Sequence, residues 1–90
     1  MNRAEILDTA KRIVNGEREE QYNSPERSFE MIANLWAAYL NHPVTSVDVA
    51  AMMALLKIAR ISSGHAKDDT GVDLAGYAAC GGEIEASYGN

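Results

Sequence analysis

Lys57 and Arg60 stand three residues apart in "LLKIAR", and Asp69 and Asp73 stand four apart in "DDTGVDLAGY". Residues at those separations are neighbours on a helix, so each pair would share one helical face. Two cations and three acids, counting Asp68 beside Asp69, at the two ends of one short connection can do two things. They can staple packed helices together, or they can frame a polar site for a small charged ligand. Cations near a helix C-terminus also complement its dipole, which would account for Lys57 and Arg60 without any ligand. However, they are the only charges in the last turns of a segment that is otherwise apolar nearly all round. A cation in such surroundings needs a carboxylate or a ligand anion, because leaving it unpaired is costly. Asp69 is also placed to cap a helix, so Asp73 is the better reach toward the cations. Tyr77, one turn further, continues the stripe with an aromatic face for stacking and a hydroxyl for hydrogen bonding, although a lone tyrosine more often packs between elements.

A second group lies in "EREEQYNSPERSF", where Arg18, Tyr22, Asn23 and Arg27 flank a helix start at Ser24 and Pro25. Free amides at a helix N-terminus, with Arg18 or Arg27 beside them, are suited to a phosphate. A solvated charged loop has the same composition. His42, His65 and Cys80 are solitary, so neither a zinc cluster nor a Cys–His or Ser–His catalytic set is expected. Cys80 among alanines reads as a small core residue.

Four helical segments would position these groups. "RAEILDTAKRIVN" sets Ile6, Leu7, Ala10, Ile13 and Val14 on one face, with Gly16 as a stop. From Pro25 to about Asn41, the face is Phe29, Ile32, Ala33, Trp36, Tyr39 and Leu40. Pro43 disfavours helical geometry in His42, and Thr45 with Asp48 has the form of a capping box. "SVDVAAMMALLKIARIS" is apolar nearly all round, which predicts a helix enclosed by others, at the centre of a bundle or of an oligomer interface. Gly64 ends it. The fourth helix is expected from Asp69 or Thr70 to about Cys80, with Gly81 and Gly82 as terminators. Gly76 inside it costs about 1 kcal/mol relative to Ala, so a close neighbour is expected there. The tail from Glu83 to Asn90 is left open between a short helix and a docking arm.

The 90 residues make a single all-α domain, 1–90, of four-helix-bundle type. Such a short chain buries only about 60–65% of its unfolded surface. With 47% hydrophobic residues, a homo-oligomer is expected. A formal charge of −5 makes long nucleic acid a poor partner. A small phosphorylated ligand needs only two or three local cations. No segment approaches the roughly 20 apolar residues of a membrane span. The N-terminal "MNRAEILDTAK" lacks the apolar core of a signal peptide, and a single cysteine suits a reducing, cytoplasmic setting.

The combined pattern carries a resemblance. The residues "Y-N-S-P-E-R-S-F-E-M-I-A-N-L-W-A-A-Y-L", "D-V-A-A-M-M-A-L-L-K-I-A-R" and "D-D-T-G-V-D-L-A-G-Y-A" are similar to a family of small phage and prophage proteins of unknown function. That family is itself distantly similar to nucleotide-modification-associated domains. The resemblance spans about residues 12–82. It implies that Arg18, Tyr22, Pro25, Phe29, Trp36, Lys57, Arg60, Asp69, Asp73, Gly76 and Tyr77 are its signature positions. Asn23 stands where the family usually has glycine, and Asn also tolerates the left-handed backbone. The chain also resembles MazG-like, Mg²⁺-dependent nucleotide pyrophosphohydrolases in size and helicity. Those enzymes hold the metal with E-x-x-E and E-x-x-D helices. Here Glu17 and Glu20 have the first spacing beyond a helix-ending glycine, and Asp69 and Asp73 lack the second.

The leading expectation is a non-enzymatic, homo-oligomeric binder of a small nucleotide-like or phosphorylated ligand, with no metal or cofactor. In a bacterial host it would sequester an immune signalling nucleotide. Arg18, Lys57, Arg60 and Lys67 would meet phosphate, Asp69 and Asp73 would orient them or bind ribose or base, and Tyr22 and Tyr77 would stack. The alternatives are the Mg²⁺-dependent enzyme and an interaction protein that binds a host protein.

Overall fold

Helix starts in this chain are set by side chains that accept the first free amide groups. In the computed structural model, which describes residues 1–17 and 25–88, α1 spans Arg3–Arg12 and begins with a capping box. The Glu5 amide donates to Asn2 Oδ1 at 2.8 Å, and the Asn2 amide donates back to Glu5 Oε1 at 3.1 Å. A widened π-type turn over Ile13–Glu17 closes α1, with Gly16 at φ 147°, a backbone that favours glycine. Ser24, the expected cap of the next helix, lies outside the described residues. α2, Pro25–Leu40, opens on Pro25, where a missing amide hydrogen costs nothing.

α2 ends one residue before the left-handed Asn41 (φ 53°), and the His42 amide reaches back to the Ala37 carbonyl at 3.1 Å. This closing geometry satisfies carbonyls the helix would otherwise orphan. The stop therefore comes from Asn41, ahead of Pro43. α3, Ser46–Ser62, has the expected capping box. Asp48 donates its amide to Thr45 Oγ1 at 3.1 Å, and the Thr45 amide donates to Asp48 Oδ2 at 2.9 Å. Gly64 (φ 77°) ends it in the same way, with the His65 amide on the Arg60 carbonyl at 2.9 Å.

α4 runs from Thr70 to Tyr88, straight through Gly81 and Gly82. The expected stop near Cys80 is wrong, and most of the open tail is helix. The reason is packing. A Cβ on Gly81 would lie 2.8 Å from the Ala50 Cβ, so glycine is needed there to let α4 cross α3. Gly76 faces Val14 at an ordinary 3.5 Å, so the tight approach is one and a half turns away from where it was expected.

α4 is the central element. It packs most extensively on α3, then on α1, and touches α2, while α2 also packs on α3. The core is Phe29, Ala33, Val49, Ala50 and Ile84, with Trp36, Met53 and Tyr77 among the side chains packed around it. All described secondary structure is helical, which bears out the all-α reading.

One expectation fails in the packing, and a second is narrowed. Tyr39 and Leu40 do not join the inner face of α2. Tyr39 is 90% exposed and Leu40 55%, because α2 has passed the core by its last turn. Leu7 of α1 is likewise exposed. More consequentially, α3 is not enclosed by this chain. Ser46, Val49 and Ala50 are buried, whereas Leu55, Leu56 and Ile58 on its other sides are open.

Candidate functional site

The end of α3 and the start of α4 bring the charged residues together. Lys57 Nζ lies 2.9 Å from Asp73 Oδ2, and the side chains are only 17% and 19% exposed. Lys57 falls on the buried side of α3, in line with Val49, Ala50 and Met53 at helical spacings, which points it at α4. Asp73 lies in the first turn of α4, where a carboxylate also complements the positive helix end.

Arg60 is one turn beyond Lys57 and exposed. It makes no ion pair with a described residue. Asp69 is exposed too. Its backbone carbonyl accepts the Asp73 amide at 2.9 Å, so it caps α4 through the main chain, and its carboxylate is not spent on capping. The local turn is held instead by Thr70, which is buried. Thr70 Oγ1 accepts the Lys67 amide at 2.9 Å, and the Thr70 amide donates to the Lys67 carbonyl at 3.1 Å. His65 Nδ1 lies 3.0 Å from Ser63 Oγ on the same exposed connection.

Tyr77 takes the packing role of the two open to it. Its ring packs on Phe29, centroids 6.1 Å apart and tilted by 32°, and it joins the side chains around the core. One face of the ring is therefore committed to the protein. Arg18 and Tyr22 lie outside the described residues, as does Glu20 of the E-x-x-E spacing. Among the described residues, no group of three or more His, Cys, Asp and Glu side chains is gathered as a metal site would require.

A recess of about 170 Å³ was not foreseen. It is walled by Val14 and Asn15, by Pro25 and Glu26, and by Ala79, Cys80 and Glu83. Its acids come from the first turn of α2 and from α4, and no spacing in the sequence links them. Cys80 is half-buried, packed against the core as expected and also lining the recess. Burial, with Glu26 and Glu83 adding negative charge, pushes its thiol above the ordinary value of 9.0. A recess with two acids does not suit a phosphate.

Fold and site together define a small all-α domain with a charged connection between its third and fourth helices. Residues 5–85 match the family described as "Domain of unknown function (DUF6378)", and the chain belongs to that family. Two relatives are phage proteins. The "Gene 55 protein" of Mycobacterium phage L5 is 49% identical over 74 residues, which cover 81% of this chain and 47% of the relative. The "Gene 55 protein" of Mycobacterium phage D29 is 41% identical over 75 residues, 83% of this chain and 50% of the relative. The chain thus spans about half the length of the curated relatives it matches. The resemblance to phage proteins of unknown function is borne out. No solved structure matches the chain. No helix among the described residues is long and apolar enough to cross a membrane.

Proposed function

We propose that this domain binds a small phosphorylated, nucleotide-like ligand without turning it over, at the connection between α3 and α4. The observation that supports the reading is the Lys57–Asp73 ion pair, largely shielded from water, with exposed Arg60 one turn away. A shielded pair keeps a lysine ordered and ready, and an arriving phosphate can take over part of the role of Asp73. Arg60 offers a planar fork of donors suited to two phosphate oxygens. Asp69, whose carboxylate is not spent on capping, would accept from ribose hydroxyls or a base edge. Tyr77 contributes its hydroxyl and free ring edge rather than a full stacking face. Lys67 would complete the site from the connection itself.

The chain would do this as a homo-oligomer in the cytoplasm of an infected cell, where tight binding without turnover sequesters a host signalling nucleotide. Calorimetric titration against mono-, di- and cyclic nucleotides tests the reading. Saturable binding that weakens at least tenfold in Arg60→Ala supports it. No heat with any of them contradicts it.

A second reading, an interaction protein that works through apolar surface, is favoured by a separate observation. Met31, Leu35 and Tyr39 lie four apart on α2 and are 63%, 64% and 90% exposed. Capture of one host protein together with an empty nucleotide screen would favour that reading over the first.

A further inference from the structure

The outward side of α3 is apolar and open. Met52, Leu55, Leu56, Ile58 and Ile61 are between 44% and 61% exposed, and Ala51 and Ala59 between them are exposed as well. The charges nearest to this face are used elsewhere or stand at its ends. Lys57 is turned inward to Asp73, Asp48 is held in the capping box, and Arg60 lies beyond the middle of the stripe. A helix apolar on every side is stable in water only when every side is covered.

The surface of the whole chain agrees. It exposes 6539 Å² for 9.8 kDa, where a compact monomer of that mass exposes about 5,200 Å². Its radius of gyration is 13.6 Å, against about 12 Å for a compact 90-residue domain. The surplus area exceeds the ~800 Å² that each partner contributes to a standard interface.

We propose that this face of α3 pairs antiparallel with the same face of a second copy, about a two-fold axis at Leu55. The proposal rests on the expectation that the chain self-associates and adds where and how it does so. The occupant follows from the order of residues around Leu55. An antiparallel pairing that sets Leu55 on Leu55 also sets Ala51 opposite Ala59 and Met52 opposite Ile58. Small residues therefore meet small ones on both sides of the axis, and large ones meet large ones. A two-fold interface requires that self-complementarity. Alanine on both sides lets the helices approach closely, the charge on the stripe, Asp48, meets Ser62 at its outer end, and the antiparallel helix dipoles oppose one another favourably.

Native mass spectrometry and sedimentation of the intact chain, across a range of concentrations and without ligand, test this. Wild type is expected to be dimeric or a multiple of dimers. Leu55→Asp should lower the subunit number at unchanged helicity, because Leu55 is 61% exposed and its replacement leaves the monomer core intact. Leu35→Asp on α2 should leave the subunit number unchanged. The register has its own test. Ala51→Glu with Ala59→Glu sets like charges across the axis and should dissociate the pair. Ala51→Glu with Ala59→Lys sets opposite charges across it and should keep it. A monomeric wild type would overturn the proposal, as would an assembly lost through Leu35→Asp but not Leu55→Asp. Equal behaviour of the two double variants would overturn the antiparallel register. These readouts involve no nucleotide, so their failure is separate from failure of the binding site.

Discussion

Gly81 of α4 and Ala50 of α3 meet so closely that a Cβ at position 81 would lie 2.8 Å from the alanine Cβ. Contact this tight sets how near the two most extensively packed helices can come, and so how Asp73 on one reaches Lys57 on the other.

Gly81→Ala is therefore expected to destabilise the domain, although alanine is the better helix former. The helix gains about 1 kcal/mol in propensity, and overpacking a formed core costs about 1–3 kcal/mol, so the net sign is a loss. Gly82 next to it has nothing within 4 Å of an added Cβ and lies in the same helix. Gly82→Ala should raise stability by about 0.5–1 kcal/mol. Urea denaturation of the two variants checks both signs at once.

The Lys57–Asp73 pair should behave as a coupled unit. Removing the carboxylate with Asp73→Ala leaves a largely shielded ammonium unpaired, at a cost of about 1–3 kcal/mol. Replacing both residues with apolar ones of similar size should cost less than the two single changes added together. A double-mutant cycle by urea denaturation measures the difference. Strict additivity would mean that the contact contributes nothing.

Capping is a simpler case. Thr45→Ala removes the acceptor of the Asp48 amide and should cost about 1 kcal/mol. Thr45→Asn, which caps as well as threonine does, should restore most of it. Thermal denaturation of the two variants tells a capping effect from a general loop effect.

Much of this architecture could be read from residue order alone. The apolar spacings, Pro25, the Thr45–Asp48 box and Gly64 placed α2 and α3 because each acts within a turn or two of where it sits. The meeting of Lys57 with Asp73 was legible for a related reason, since each acts through the exposed or buried side of its own helix. What could not be read depends on contacts between helices. Gly81 looks like a helix terminator until Ala50 is seen beside it. Tyr77 could stack on a ligand or pack between helices until Phe29 is seen against its ring. The recess beside Cys80 was hidden because Glu26, more than fifty positions away, forms part of its wall. The open face of α3 was legible only as a need for cover, because an all-apolar helix does not say which chain supplies it.

Cys80 gives the pH dependence. Its folded-state pKa is raised, first by burial and then by Glu26 and Glu83, above the 9.0 of an unfolded thiol. Between those values the folded thiol holds its proton while the unfolded one has lost it. This contribution to stability is therefore complete below pH 9 and is lost as pH rises through the folded pKa. Alkylation by iodoacetamide should have its rate midpoint above that of a free thiol. Glu26→Gln should move the midpoint down toward it. A midpoint at or below 9 would contradict the arrangement of the recess.

The proposed site at the end of α3 is tested most directly by calorimetric titration of the wild-type chain and Arg60→Ala against the same panel of mono-, di- and cyclic nucleotides. The account predicts saturable binding of at least one phosphorylated ligand, weakened tenfold or more in Arg60→Ala, with the nucleotide recovered unchanged. No binding by the intact assembly, or binding of equal strength in both proteins, would contradict it.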